Sequence, residues 1–285
     1  MLFRSQGNPA TSLRKGLETL LDNVETVIRK GASLVILSDR DATETLAPIP
    51  SLLATAAVHH GLQERNLRAE AGIVVESGEP REVMHFCLLC GYGANAINPY
   101  LLFDVLDETR KRGELPMALD GGAVIDNVIA AIKKGMLKTM SKMGISTLRS
   151  YQYAQLFEAI GLNRSVVDEY FKDTSSRIGG IGLGDIAGEM LRRHSAAYES
   201  DIHSLNELVW GGEYYFRVDG ENHLWTPESV TSLQHAVRLN DEQAYKRFAQ
   251  AVNDQSRRLC TLRGLFDFVP GDSVPLEDVE PAEKI

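Results

Sequence analysis

The sequence predicts an α/β protein, with a parallel βα core in its first half and a mainly helical second half carrying one β-hairpin. Three observations support this. Short branched-apolar runs alternate with segments of helical period as far as Asn98. Helical spacing then dominates after Pro99, and Asp219-Gly220 sits between two aromatic-rich runs as a two-residue turn would.

In chain order, Leu13, Leu17, Leu20, Leu21, Val24, Val27 and Ile28 form a stripe spaced by threes and fours, so Leu13 to Arg29 is an amphipathic helix stopped at Gly31. Ser33 to Leu37 is continuously apolar and branched, the signature of a parallel strand covered on both faces. A helix from about Pro50 to Arg65, a strand at Gly72 to Glu76, a helix from Pro80 to Cys90 and a strand at Ala94 to Ile97 repeat the pattern. Strand, helix, strand is the grammar of a wound parallel sheet or barrel-like layer. Val83 to Cys90 is apolar all round, which predicts a helix with protein on every side.

Beyond Pro99 the spacing predicts a long helix over Gly122 to Met143 and shorter ones at Tyr151 to Ile160, Ser165 to Phe171 and Leu183 to Tyr198. Tyr214 to Val218 and Glu221 to Trp225 are the expected hairpin strands. Thr226-Pro227-Glu228 opens another helix, Asp241 to Arg257 forms the last, and the proline- and acid-rich stretch from Pro270 to Glu283 reads as a connector.

A formal net charge of −9 argues against nucleic acid or an anionic membrane surface as the main partner, since both select clustered Lys and Arg. No apolar run approaches the roughly 20 residues that a membrane helix needs. Three cysteines, Cys87, Cys90 and Cys260, are too few for a disulfide framework, and with no apolar signal segment the expected setting is cytoplasmic. Leu2 to Ser5 reads like translated adaptor sequence, so residues 1–5 are expected to be an artefact.

Several motifs have a plain reading beside a chemical one. Cys87-Leu-Leu-Cys90 has redox spacing but lies in an apolar helix without a second Cys/His pair, which favours two buried structural cysteines. His59 and His60 lack the spacing that puts two imidazoles on one helix face. Gly179 to Gly184 could cradle a phosphate at a helix start, yet Asp173 to Arg177 before it does not read as a strand, which favours a flexible turn. Lys134, Lys138 and Lys142 recur every fourth residue and most simply mark a solvated helix face.

The candidate site is a set of polar residues at the expected strand ends: Asp39 and Arg40, then Glu76, Ser77 and Gly78, then Asn98, with Lys142 from the long helix. Parallel-sheet folds collect ligands at such ends, so these residues could line a vestigial pocket, or simply solvate loops and cap helices. A free-standing lyase or isomerase would use Asp39 as acid, Arg40 as anion anchor, Glu76 as base and Lys142 as electrophile. A pure interaction module would have no pocket. No nucleophile elbow, Walker loop, HExxH or EF-hand loop is present.

Stretches along the whole chain resemble the glutamate synthase large subunit. They include Leu37-Ser-Asp-Arg40, Ala47-Pro-Ile-Pro50, Gly78-Glu-Pro-Arg81, Asn98-Pro-Tyr-Leu101, Met140-Ser-Lys-Met-Gly-Ile-Ser-Thr-Leu148, Ser176-Arg-Ile-Gly-Gly-Ile-Gly182 and Gly211-Gly-Glu-Tyr214. The resemblance implies a degenerate TIM-barrel-like core, with residues 6–198 the later part of that family's central domain, 199–269 a lead-in to the synthase domain and 270–285 a linker to the FMN barrel.

It further implies a parent that converts L-glutamine and 2-oxoglutarate to two L-glutamate with FMN and an iron–sulfur cluster. Its partners would be glutaminase, FMN-barrel and β-helical domains of the same polypeptide, and a small NADPH-oxidising subunit in the bacterial type. None of the family's catalytic or cofactor-binding residues maps onto this sequence, so the expected role is a non-catalytic scaffold without cofactor or metal of its own.

Overall fold

The computed structural model describes residues 1–4, 7–116, 119–198, 211–257, 261–266 and 270–284. The chain forms two compact units, Met1–Ser200 and Asp201–Ile285.

In the first unit β1 (Leu2–Arg4) leads to α1 (Pro9–Arg29). Asn8 caps α1 by accepting from the Thr11 N–H at 3.0 Å, and Pro9 fills the first position, where a missing N–H costs nothing. Its expected stripe is real: Leu13, Leu17, Val24 and Ile28 are buried. β2 (Leu34–Ser38) follows, then β3 (Leu46–Pro48), which pairs antiparallel with β1. Phe3 of β1 is buried with Leu13, Ala47 and Ile49.

α2 (Ser51–Glu64), β4 (Gly72–Glu76), α3 (Val83–Gly91) and β5 (Ala96–Asn98) complete two returns of the chain to one sheet, giving a parallel three-stranded sheet in the order β2-β4-β5. Leu34 pairs with Gly72, Ser38 with Glu76, and Glu76 with Asn98, so the three strands end level. One face carries Val35, Leu37, Ile73 and Val75 against Val24, Ile28, Val58, Leu62 and Leu89. Each such side chain contributes about 1.5–3 kcal/mol by leaving water.

The other face departs from expectation. Leu34 and Ile36 are 57% and 59% exposed, and Val74 and Ala96 continue their row across the sheet without being fully buried. The branched run of β2 therefore does not mark a strand covered on both sides here. Among the described residues the strands make sheets of two, three and two, and no closed barrel forms.

α4 (Tyr100–Lys111) and α5 (Gly121–Lys142) follow, the latter capped by Asp120, which accepts from the Ala123 N–H at 2.7 Å. The expected helix over Tyr151 to Ile160 is absent. Instead α6 (Leu148–Tyr151) stops where Tyr153 and Gln155 take positive φ, and β6 (Glu158–Leu162) begins. After α7 (Arg164–Tyr170), β7 (Ser175–Ile181) runs parallel to β6, so Ser175 to Arg177, not expected to be strand, are strand and take Gly179 and Gly180 with them, while Gly182 leads into the next helix. α8 (Leu183–Tyr198) packs on α1.

In the second unit α9 (Pro227–Leu239) and α10 (Glu242–Arg257) pack together. Thr226 and Ser229 form a reciprocal capping box at the start of α9, as the Thr-Pro-Glu signal predicts. The hairpin expected at Tyr214 to Trp225 does not form strands. Its turn exists, with Asp219 at φ 62° and the Glu221 N–H donating to the Gly211 carbonyl at 2.8 Å, but no ladder extends from it. Short 3-10 turns, Leu276–Asp278 and Ala282–Lys284, punctuate the exposed connector. Among the described residues no helix is long and apolar enough to cross a membrane.

Candidate functional site

Because β2, β4 and β5 are parallel and in register, their polar C-terminal residues are brought to one edge. Asp39 and Ser77 are almost fully buried there, at 3% and 0% exposure. The Asp39 carboxylate accepts from the Ser77 hydroxyl at 2.5 Å, from the Gly78 N–H at 3.2 Å and from the Tyr100 hydroxyl at 2.8 Å. Burial, then the hydrogen bond to Asp39, raises the Tyr100 pKa well above the phenol value, so Tyr100 remains a donor.

Glu76 forms the second centre. Its carboxylate accepts from Ser38 Oγ at 2.7 Å and Asn98 Nδ2 at 3.1 Å, and pairs with Arg40 Nε at 3.2 Å. The Arg40 guanidinium also lies over the Tyr100 ring, 4.4 Å from its centroid. Backbone bonds from Asp39 N–H to the Glu76 carbonyl and from Ser77 N–H to the Asn98 carbonyl carry the parallel ladder into this network.

Six of the seven residues singled out from the sequence thus meet: Asp39, Arg40, Glu76, Ser77, Gly78 and Asn98. Lys142 does not join them. It is the exposed last residue of α5 and has no hydrogen-bond or ion-pair partner among the described residues. Ser38 and Tyr100 belong to the network as well. The signal for Tyr100 was its place directly after the strand-ending Asn98-Pro99, where the next helix starts against the sheet edge.

Chemically the arrangement is turned inward. Asp39 is buried against three protein donors, and Glu76, though its side chain is 23% exposed, accepts from Ser38 and Asn98 and pairs with Arg40, so neither carboxylate is free to act as a general base. The Gly78 N–H and Ser77 hydroxyl, which a flavin phosphate would need, are directed at Asp39, so these residues do not fit an FMN phosphate. Cys87 and Cys90 are buried with Met140 and Tyr151, and burial together with the neighbouring Cys87 pushes the Cys90 thiol up to about 11. A thiol raised in this way does not fit an iron–sulfur cluster, whose ligands are thiolates. Among the described residues no group of His, Cys, Asp and Glu could hold a metal ion. Cys260 lies outside the described residues.

A cavity of about 90 Å³ lies where α2 meets the segment after α6 and is lined by His59, His60, Tyr92, Tyr151, Tyr153 and Lys172. His59 stacks on Tyr153 with ring centroids 3.9 Å apart, and its Nδ1 accepts from Arg68 Nε at 2.8 Å. Burial first, then the charges of His60 and Arg68, push its pKa down to about 3, so the ring is neutral and serves as an acceptor. Lys172 is paired with Glu64.

Comparison with known proteins gives this frame its family. The model of the glutamate synthase central domain matches residues 1–163. The chain belongs to that family. It is 43% identical over 275 residues to the glutamate synthase (NADPH) large chain of Bacillus subtilis, covering 96% of this chain and 18% of that protein. It is 39% identical over 287 residues to the glutamate synthase (NADH) of Schizosaccharomyces pombe, covering 99% and 13%. The ferredoxin-dependent glutamate synthase 2 of a Synechocystis strain is 37% identical over 297 residues, covering 94% and 19%. The chain therefore spans less than a fifth of the length of these glutamate synthases.

Proposed function

We propose that this central-domain chain is a non-catalytic scaffold within a glutamate synthase. In this reading it holds a glutaminase domain and an FMN-binding barrel at a fixed separation, so that ammonia passes between them without escaping to solvent. The parent converts L-glutamine and 2-oxoglutarate to two L-glutamate in the cytoplasm, using FMN and an iron–sulfur cluster. It also carries a β-helical domain and, in the bacterial NADPH type, a small NADPH-oxidising subunit. The three-stranded sheet with its returning helices is a fragment of a degenerate TIM-barrel-like layer.

One observation carries the scaffold reading: the row Leu34, Ile36, Val74 and Ala96 leaves one face of a parallel sheet open. Parallel sheets are stable with both faces covered, so this row is a surface for other parts of the polypeptide. The inward-turned Asp39 and Glu76 networks favour the same reading over a free-standing lyase or isomerase, whose proposed electrophile Lys142 is not at the strand ends.

The test is Leu34→Lys with Ile36→Glu in the full-length large chain carrying this sequence. Glutamine hydrolysis and ammonia-driven glutamate formation should each persist while their coupling falls, so that free ammonia appears at roughly one per glutamine hydrolysed. Unchanged coupling would remove the scaffold reading.

A further inference from the structure

We propose that a cleft between the starts of α2 and α3 and the middle of α8 binds a carboxylate on a short aliphatic stem. The cleft measures about 230 Å³ and lies in the first unit, apart from both sites described above. Arg81, from the loop after β4, and Arg193 of α8 both line it. Both side chains are exposed where they line it, and neither guanidinium has a hydrogen-bond or ion-pair partner among the described residues, in a chain of formal charge −9.

His85 adds a further donor. Its Nδ1 accepts from the backbone N–H groups of Arg81 and Glu82, at 3.2 and 3.3 Å, which leaves Nε2 as the ring's N–H donor. Leu52 and Leu88 supply an apolar floor.

Glu79 decides the charge of the ligand. Its carboxylate lines the same cleft and accepts from the Ser51 N–H at 2.6 Å, capping α2, whose N-cap position is Pro50 and offers no side-chain oxygen. Two guanidinium groups against one carboxylate leave a single net positive charge, which suits a monoanion better than a phosphate dianion. A planar carboxylate also matches the guanidinium fork, and the leucines accept the methylene stem. The same chemistry is offered by a small free acid and by an acidic side chain of another polypeptide segment. The cleft shares no residue with the open sheet face, so it stands or falls separately from the scaffold role.

The experiment follows the arginine Nε–H signals of the full 285-residue chain by NMR during titration with butyrate, with N-acetyl-L-glutamic acid α-amide and with inorganic phosphate. Butyrate should shift the Arg81 and Arg193 signals saturably. Arg81→Gln with Arg193→Gln should weaken binding about tenfold or more, whereas Arg192→Gln, an exposed neighbour outside the cleft, should leave it unchanged. Tighter binding of the glutamate amide assigns the cleft to a protein side chain, and equal or tighter binding of butyrate to a free acid. The proposal is overturned if neither carboxylate shifts the two signals, if phosphate binds more tightly than both, or if the double substitution has no effect.

Discussion

Asp39 and His59 are both almost fully buried, yet protein contacts make each tolerable by a different route. Asp39 satisfies its carboxylate with a hydroxyl, a backbone N–H and a phenol, a set that also fixes the ends of three strands. His59 instead gives up its charge. With its pKa lowered to about 3, from near 6.5 in an exposed imidazole, the folded chain leaves it neutral while the unfolded chain protonates it below about pH 6.5. The unfolded state then binds the extra proton, so this contribution to stability is complete above about pH 6.5 and is lost steadily as pH falls toward 3. Urea unfolding between pH 6 and 4 should show stability declining by up to about 1.4 kcal/mol per pH unit from this one residue. His59→Asn should flatten the slope by that amount, whatever it does to stability at pH 7. Parallel slopes for the two proteins would mean that His59 is not held neutral.

At the scale of elements, the β6–β7 pair is where sequence and structure part most clearly. Gly180 lies so close to the Gly161 carbonyl that a Cβ there would overlap backbone, and Gly161 itself has φ 80°. The register shifts at Ile160 and Leu162 accommodate this approach. Gly180→Ala should therefore destabilise the first unit by about 1–3 kcal/mol, because backbone cannot rotate away as a side chain can. Gly179→Ala has open space around its Cβ and should stay within about 0.5 kcal/mol of the parent. Equal effects from the two substitutions in thermal denaturation would contradict the close-packed pair.

That pair was not legible because glycine is scarce inside strands, and a run of it reads as a turn. The positive φ at Tyr153 and Gln155, which ends α6, leaves no mark in residue type. α1, β2 and β4 were legible as elements because a period of 3.6 marks a helix and a short branched run bounded by polar residues marks a strand, although the run of β2 overstated its burial. The meeting of Asp39, Glu76 and Asn98 followed from that grammar, since parallel strands must end on one edge. Spacing along one helix could not place Lys142 relative to a sheet, and the inward use of the carboxylates depended on Tyr100, whose hydroxyl is positioned by tertiary packing.

For the whole molecule, the distribution of core decides which part can stand alone. Three clusters of buried apolar side chains lie within residues 1–198. In the second unit the buried side chains among the described residues are Ser229, Ala236 and Ala244, all small, while Tyr245 is 55% and Leu239 71% exposed. Two helices joined through alanines bury too little apolar surface to offset the entropy of ordering them. Residues 1–198 expressed alone should accordingly keep a cooperative thermal transition within about 3 °C of the full chain, whereas residues 211–285 alone should melt without one. Calorimetry on the two pieces distinguishes this from the alternative. If removing the second unit lowers the midpoint by about 10 °C or more, the first unit's stability depends on residues beyond 198, and its three clusters are not a self-sufficient core.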